Sequence, residues 1–210
     1  MQIAHESGSA AHPPRVSTGM LTLYALLLSL ITPPTQAPQP AAAPPPKPFD
    51  CTAPEHRQFD FWVGEWEVVY NPDTRPANTP PSPPGRKPAI NVIQKAHDGC
   101  VIIENWNDGQ GGTGQSFNLY DRVTQRWQQT WVDNRGGLHE YWGGLNDGKM
   151  VYVGEVSVGP AVRFAGKRTM RVTFTPLGPD RMRQMAEGLN SDGTWTTQYD
   201  FIYTRRAKTP

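Results

Sequence analysis

From Cys51 onward the chain is a succession of short stretches in which β-branched and aromatic residues alternate with polar ones, each closed by a cluster of Gly, Asn and Asp. Trp195, Thr197, Tyr199, Phe201 and Tyr203 fall on one face, with Thr196, Gln198 and Asp200 on the other, the two-residue period of a half-buried strand. Turn signals recur at hairpin spacing. Asp98-Gly99, Asn107-Asp108-Gly109, Asn134-Arg135-Gly136-Gly137, Asn146-Asp147-Gly148, Gly178-Pro179-Asp180 and Ser191-Asp192-Gly193 all supply residues that tolerate positive φ. Between them the pattern predicts strands near 65–71, 89–97, 100–106, 115–122, 126–133, 138–143, 149–157, 168–175, 181–188 and 195–204. Consecutive strands joined by short turns make a meander, and a long meander loses both edges by closing on itself. The predicted fold is therefore all-β, a single up-and-down antiparallel barrel of about ten strands, with a two-sheet sandwich as the alternative. Parity does not say which faces point inward, because several strands carry large side chains on both.

The segment before Cys51 has another pattern. Its one apolar run, Met20 to Ile31, is twelve residues long, too short to span a bilayer but suited to the core of a secretory signal, and Arg15 precedes it. Small residues near Ala37 and Ala41 to Ala43 offer cleavage sites, and a Pro-rich tract from Pro33 to Pro48 isolates the run from the rest of the chain. The expected organisation is a leader over 1–37, a Pro-rich linker over 38–50 and the barrel domain over 51–210, exported to the periplasm or beyond, with no membrane span in the mature chain. In an oxidising compartment Cys51 and Cys100 are expected to pair, a bridge worth roughly 4 kcal/mol on the chain-entropy account. The residues before Cys51, Pro-Phe-Asp, are not a lipid-anchor context. The Pro-rich stretch from Asn71 to Pro88 is neither helix nor strand, and reads as a lid over the barrel mouth or as a disordered insertion.

Charge changes the picture only by exclusion. Lys and Arg number 20 against 19 Asp and Glu, with no run of like charges to track phosphates, so nucleic acid is not an expected partner. Gly109-Gln-Gly111-Gly-Thr-Gly114 matches the dinucleotide fingerprint literally, but a strand comes after it where the chemistry needs a helix N-terminus, so it reads as a hairpin loop. There is no nucleophile elbow, no HExxH, no paired CxxC and no P-loop, and neither metal nor cofactor is expected. Glu104, Asp133 and Glu187 are acids in stretches otherwise rich in Ile, Trp or Met. Glu104 shares a face with Ile102 and Trp106, so with that face inward it is a buried acid needing a partner, for which Arg183 and Arg171 are candidates. His139 becomes a general base or an axial haem ligand if it points inward. Trp127, Gln129 and Trp131 alternate on one strand, Asn118 and Tyr120 on the preceding one, a combination of rings and amides that can line a pocket or simply form a core.

Phe59-Asp60-Phe61-Trp62-Val63-Gly64-Glu65-Trp66 carries a resemblance. Gly64-x-Trp66 at the opening of the first strand resembles the GxW signature of the calycins, which include lipocalins and fatty-acid-binding proteins. The closing Tyr203-Thr204-Arg205-Arg206 strengthens it, since a basic residue there packs across the tryptophan in calycins; the resemblance gives that structural role, with Gly64 and Trp66, to Arg205, with Arg206 as fallback. Together with GCVIIENW, SFNLYD and RWQQTWVD the chain from Cys51 to Arg206 looks like a bacterial family of exported calycin-like domains. That resemblance implies a barrel with a closed base and a pocket at the opposite mouth, and brings no catalytic residues. Nitrobindin-type calycins hold haem through a histidine near the barrel's end, and the last two strands here contain none.

The leading expectation is a binding module for an apolar or amphipathic small molecule, lined by some of Glu104, Trp106, Asn118, Tyr120, Gln129 and Trp131. One alternative is an isomerase, hydratase or lyase using Glu104 or His139 as the acid–base group; another is an envelope interaction domain with a filled core.

Overall fold

The computed structural model describes residues 51–74, 85–158 and 166–207. The expected leader (1–37) and linker (38–50) lie outside the described residues, as do 75–84 of the 71–88 loop. The domain is a closed antiparallel barrel of ten strands in simple sequence order: β1 (Gly64–Tyr70), β2 (Ala89–Ala96), β3 (Val101–Asn107), β4 (Thr113–Asp121), β5 (Arg126–Asp133), β6 (Leu138–Asn146), β7 (Lys149–Val158), β8 (Gly166–Gly178), β9 (Arg181–Leu189) and β10 (Trp195–Arg205). Each strand pairs with its neighbour in sequence, and β1 closes the barrel against β10 with Trp66 opposite Arg205. The sandwich alternative is excluded by this closure.

The connections alternate between two ends. At one end, β2–β3, β4–β5, β6–β7 and β8–β9 are joined by two to four residues; at the other, β3–β4, β5–β6 and β9–β10 are joined by four or five, 108–112, 134–137 and 190–194, and the long 71–88 link leaves β1 and enters β2. The short-turn end is plugged. Two 3₁₀ turns, Pro54–Arg57 and Asp60–Trp62, precede β1 and drive Phe59 and Trp62 into the barrel, where they stack at 4.7 Å and meet Phe174 at 5.0 and 4.9 Å. Trp66, Trp127, Tyr152, Met150 and Met182 complete this core, all fully buried. The Cys51–Cys100 disulfide is formed and staples the plug segment to the β2–β3 turn.

Arg205 takes the position across Trp66, its guanidinium carbon 4.1 Å from the ring centroid, while Nη1 donates to the Val63 carbonyl at 2.9 Å and Nε to that of Pro179 at 3.0 Å. Gly64 makes this fit: its φ is +141°, and a Cβ there would lie 2.1 Å from Arg205 Nη1. Arg206 instead faces solvent beside Glu65 at 3.7 Å. Arg205→Met is therefore expected to cost about 1–3 kcal/mol through the lost ring contact and two hydrogen bonds, and Arg206→Ala no more than about 0.5 kcal/mol, measured by urea denaturation.

The strand count and order agree with the periodicity, but one face assignment does not. A bulge between Thr197 and Tyr199 shifts the β9–β10 register, so Thr197 sits opposite Glu187 and Tyr199 opposite Ala186. One extra residue reverses every side chain beyond it. Tyr199, Phe201 and Tyr203 point inward as a set, whereas Trp195 and Thr197 face out, with Arg171 4.5 Å over the Trp195 ring.

Candidate functional site

Toward the long-loop end the core gives way to a cavity of about 240 Å³, lined among others by Glu104, Trp106, Gln129, Trp131, Tyr199 and Phe201. The interior is filled at the base and hollow toward the mouth. At the rim beside β1 and β2 a wider hollow of about 560 Å³ shares Trp106 and Phe201 with it and carries Arg86, Lys87 and Arg135 together with Glu67 and Asp108. None of the polar side chains lining that outer hollow is fully buried, so its charges are exposed to solvent screening.

The floor is built around Glu104, which is 4% exposed. Register accounts for its neighbours. On β3 it pairs with Ile93 of β2 and Ser116 of β4, which sets Asn91 one inward position away on one side and Ser116 directly beside it on the other. Ser116 Oγ donates to Glu104 Oε2 at 2.7 Å and Asn91 Nδ2 to Oε1 at 2.7 Å. From there a chain of polar contacts runs both ways. Gln129 Nε2 donates to Asn118 Oδ1 at 2.8 Å and Asn118 Nδ2 to Ser116 Oγ at 2.9 Å. On the other side Asn91 Nδ2 also reaches the Tyr203 hydroxyl at 3.3 Å, Tyr203 donates to Gln184 Oε1, and Gln184 Nε2 donates to the Tyr199 hydroxyl at 3.3 Å. Buried polar groups need such partners, and this network satisfies most of them. Asn91 Oδ1 and the Tyr152 hydroxyl are buried without a hydrogen-bond partner.

Neither arginine expected beside Glu104 is there. Arg183 grips Asp200 through Nε at 2.8 Å and Nη2 at 2.7 Å, and Arg171 grips Glu187 at 2.8–2.9 Å, both on the outer face. The reason is parity: Gln184, next to Arg183, lines the cavity, and Ala186, next to Glu187, lies in the core. With no cation beside it, burial pushes the Glu104 carboxyl up to about 7, against the pull of the Ser116 and Asn91 hydrogen bonds.

The remaining residues separate by depth. Trp106, Gln129 and Trp131 line the cavity, and Trp131 lies over Gly114, where an added Cβ would sit 2.2 Å from its ring. The last glycine of the fingerprint-like sequence thus makes room for an indole and has nothing to do with phosphate; the loop before it is tied by Asp108 Oδ1, which accepts from the Gln110 and Gly112 amides at 2.7 and 2.8 Å. Asn118 lies below the lining and acts through the network. Tyr120 is elsewhere: it meets His56 edge-on at 5.4 Å and Trp127 at 6.3 Å, at the base, because its inward face is right but its position is two residues nearer the plug. His139 points into the cavity's upper wall, 6.4 Å from Trp131 and 6.1 Å from Tyr141. Burial holds its imidazole down at about 4; Asp133 acts against this and Arg168 with it. Asp133 also lines the wall, accepts from Trp131 Nε1 at 3.2 Å, and stays below its ordinary value although burial raises it, because the Gly137 amide, Trp131 and the Arg135 amide all donate to it.

Asn91, Ser116, Gln184, Tyr199, Phe201 and Tyr203 complete the site, although nothing in the strand pattern singles them out as site residues. No family model matches this chain, and a search of curated proteins returned no match.

Proposed function

We propose that the domain is an exported, calycin-like binding module that takes a small amphipathic molecule into the mouth of the barrel. The observation that carries this reading is a single buried carboxyl at the floor of a cavity walled mainly by aromatic side chains, rings giving apolar area and a few polar groups giving orientation. At about 240 Å³ the space lies below the range of roughly 300–1,000 Å³ usual for drug-sized ligands. A one-ring molecule suits it better than a long acyl chain.

The test fills the cavity. Val172 lines it and is buried, and Val172→Phe is expected to weaken binding of 2-phenylethanol, read by ligand-observed NMR, by about tenfold or more, with the fold kept. The reading fails if no small aromatic probe of any charge binds and native mass spectrometry of protein taken from its own envelope shows only the apo mass.

A second reading, an isomerase, hydratase or lyase, draws on one observation. A carboxyl held at about 7 is suited to both giving and taking a proton near neutrality. His139, held at about 4, would serve beside it as an acceptor. Conversion of a bound molecule, abolished in Glu104→Gln, would favour this over simple binding.

A further inference from the structure

The cavity wall is lopsided in charge. Its lining contains two carboxylic acids, Glu104 and Asp133, six aromatic rings, and no lysine or arginine. His139, its one imidazole, is neutral at pH 7. Arg183 and Arg171 are paired on the outer face, and Arg168, bonded to Gln198 at 3.1 Å, bears on His139 and Tyr141 toward the mouth and is not among the groups acting on Glu104.

We infer that the ligand is a small organic cation, an amine or a protonated aromatic base, held with its charge between the Glu104 carboxyl and the faces of the surrounding rings. This rests on the binding-module reading above and narrows it. An ionised carboxylate buried without a cation is costly, and a cationic ligand supplies the missing partner. The rings add to the same preference, because the face of an aromatic ring is its negative side and attracts a desolvated cation most strongly through Trp. Acceptor capacity at the floor matches N–H donors. Each Glu104 oxygen accepts one hydrogen bond from the protein and retains a lone pair. An anionic ligand would meet two acids and no cationic side chain in the lining, and a neutral one would gain buried area and hydrogen bonds without the charge pairing.

Binding is coupled to a proton. Glu104 must be ionised to serve as counter-ion, so the complex loses the carboxyl proton to solvent and affinity rises with pH through neutrality. The other groups around it do not mask this. Tyr141, Tyr152, Tyr199 and Tyr203 are all pushed above their ordinary value by burial and stay protonated; Asp133 is already ionised and His139 already neutral.

Isothermal titration of the oxidised full chain with phenethylamine, 2-phenylethanol and 3-phenylpropionate compares one ring carrying a positive, no, or a negative charge. The amine is expected to bind at least about tenfold more tightly than the alcohol at pH 8, the propionate more weakly than either. Amine affinity should fall by about tenfold between pH 8 and pH 6 while the alcohol's stays level. Glu104→Gln should remove about tenfold or more of amine affinity and abolish its pH dependence between pH 6 and pH 8. Alcohol or propionate binding as tightly as the amine, an amine affinity flat from pH 6 to 8, or an unchanged Glu104→Gln overturns the cation and leaves the binding module standing. If none of the three binds and native mass spectrometry of protein taken from its own envelope shows only the apo mass, both readings fall.

Discussion

Glu104→Gln and His139→Gln are expected to tilt the pH dependence of stability in opposite directions. Glu104 rises from an ordinary 4.5 to about 7 on folding, so between those values the native state holds a proton that the unfolded chain has released. Stability from this group is present below 4.5 and lost as pH climbs through 7. His139 falls from 6.5 to about 4, so below 6.5 the unfolded chain binds a proton that the native state refuses, and stability is lost as pH drops through 4. Each shift corresponds to about 3 kcal/mol. From 4.5 to 6.5 the two slopes have opposite sign and largely cancel in the wild type. Removing one exposes the other. Relative to wild type, Glu104→Gln should gain stability by about 3 kcal/mol on going from pH 4.5 to pH 8, and His139→Gln by a similar amount on going from pH 7 to pH 4. Glutamine at 104 is a fair probe because Ser116 Oγ, which already accepts from Asn118, can accept from the new amide as well. Urea denaturation at pH 4, 6 and 8 reads both variants, and curves that run parallel to wild type would show that neither buried group titrates as described.

The same two groups show how far the sequence reaches. Glu104 stands out in Val101-Ile102-Ile103-Glu104-Asn105-Trp106 because alternation pairs it with Ile102 and Trp106, and it is in fact inward and buried. Trp106, Gln129 and Trp131 are legible by the same parity. What parity cannot supply is depth and partnership. Asn118 and Tyr120 share the inward face, yet Asn118 serves the network and Tyr120 the plug, a difference set by how far the barrel floor rises and hence by Phe59 and Trp62, which no strand pattern describes. Glu104's partners depend on register. Asn107-Asp108-Gly109 signals a turn, but the loop actually runs over 108–112, held by Asp108, and this length is what brings Ser116 opposite Glu104. The wall from β9 and β10 is further out of reach. Its arginines are natural partners for a buried acid by charge alone, and the bulge at Thr197/Tyr199 shifts a register that period-two reading assumes constant.

The base offers the sharpest test of the architecture, because two of its three buried tryptophans, Trp62 and Trp66, are neighbours in sequence and differently held. Trp62 and Trp66 are both fully buried, but Trp66 Nε1 donates to the Trp62 carbonyl at 2.8 Å and its ring carries the Arg205 guanidinium, while Trp62 Nε1 has no hydrogen-bond partner and its ring is stacked among Phe59 and Phe174. Truncation to alanine should cost about 3–5 kcal/mol at either site, since both leave a large cavity in a close-packed plug. Phenylalanine separates them. Trp62→Phe keeps the stacking and discards an N–H that was buried unpaired, so part of the lost ring area is offset by removal of a desolvated donor. Trp66→Phe leaves the Trp62 carbonyl without its donor and weakens the cation–π contact, for which Phe is a poorer face than Trp. Trp66→Phe is therefore expected to be the more destabilising of the two by about 1–2 kcal/mol. Combining each with Arg205→Met tells the causes apart: the Trp66→Phe and Arg205→Met costs should fall short of adding because they remove one shared contact, and the Trp62→Phe and Arg205→Met costs should add. Equal phenylalanine costs at the two sites would mean that the base is held by volume alone, and that Gly64, Trp66 and Arg205 form no clasp.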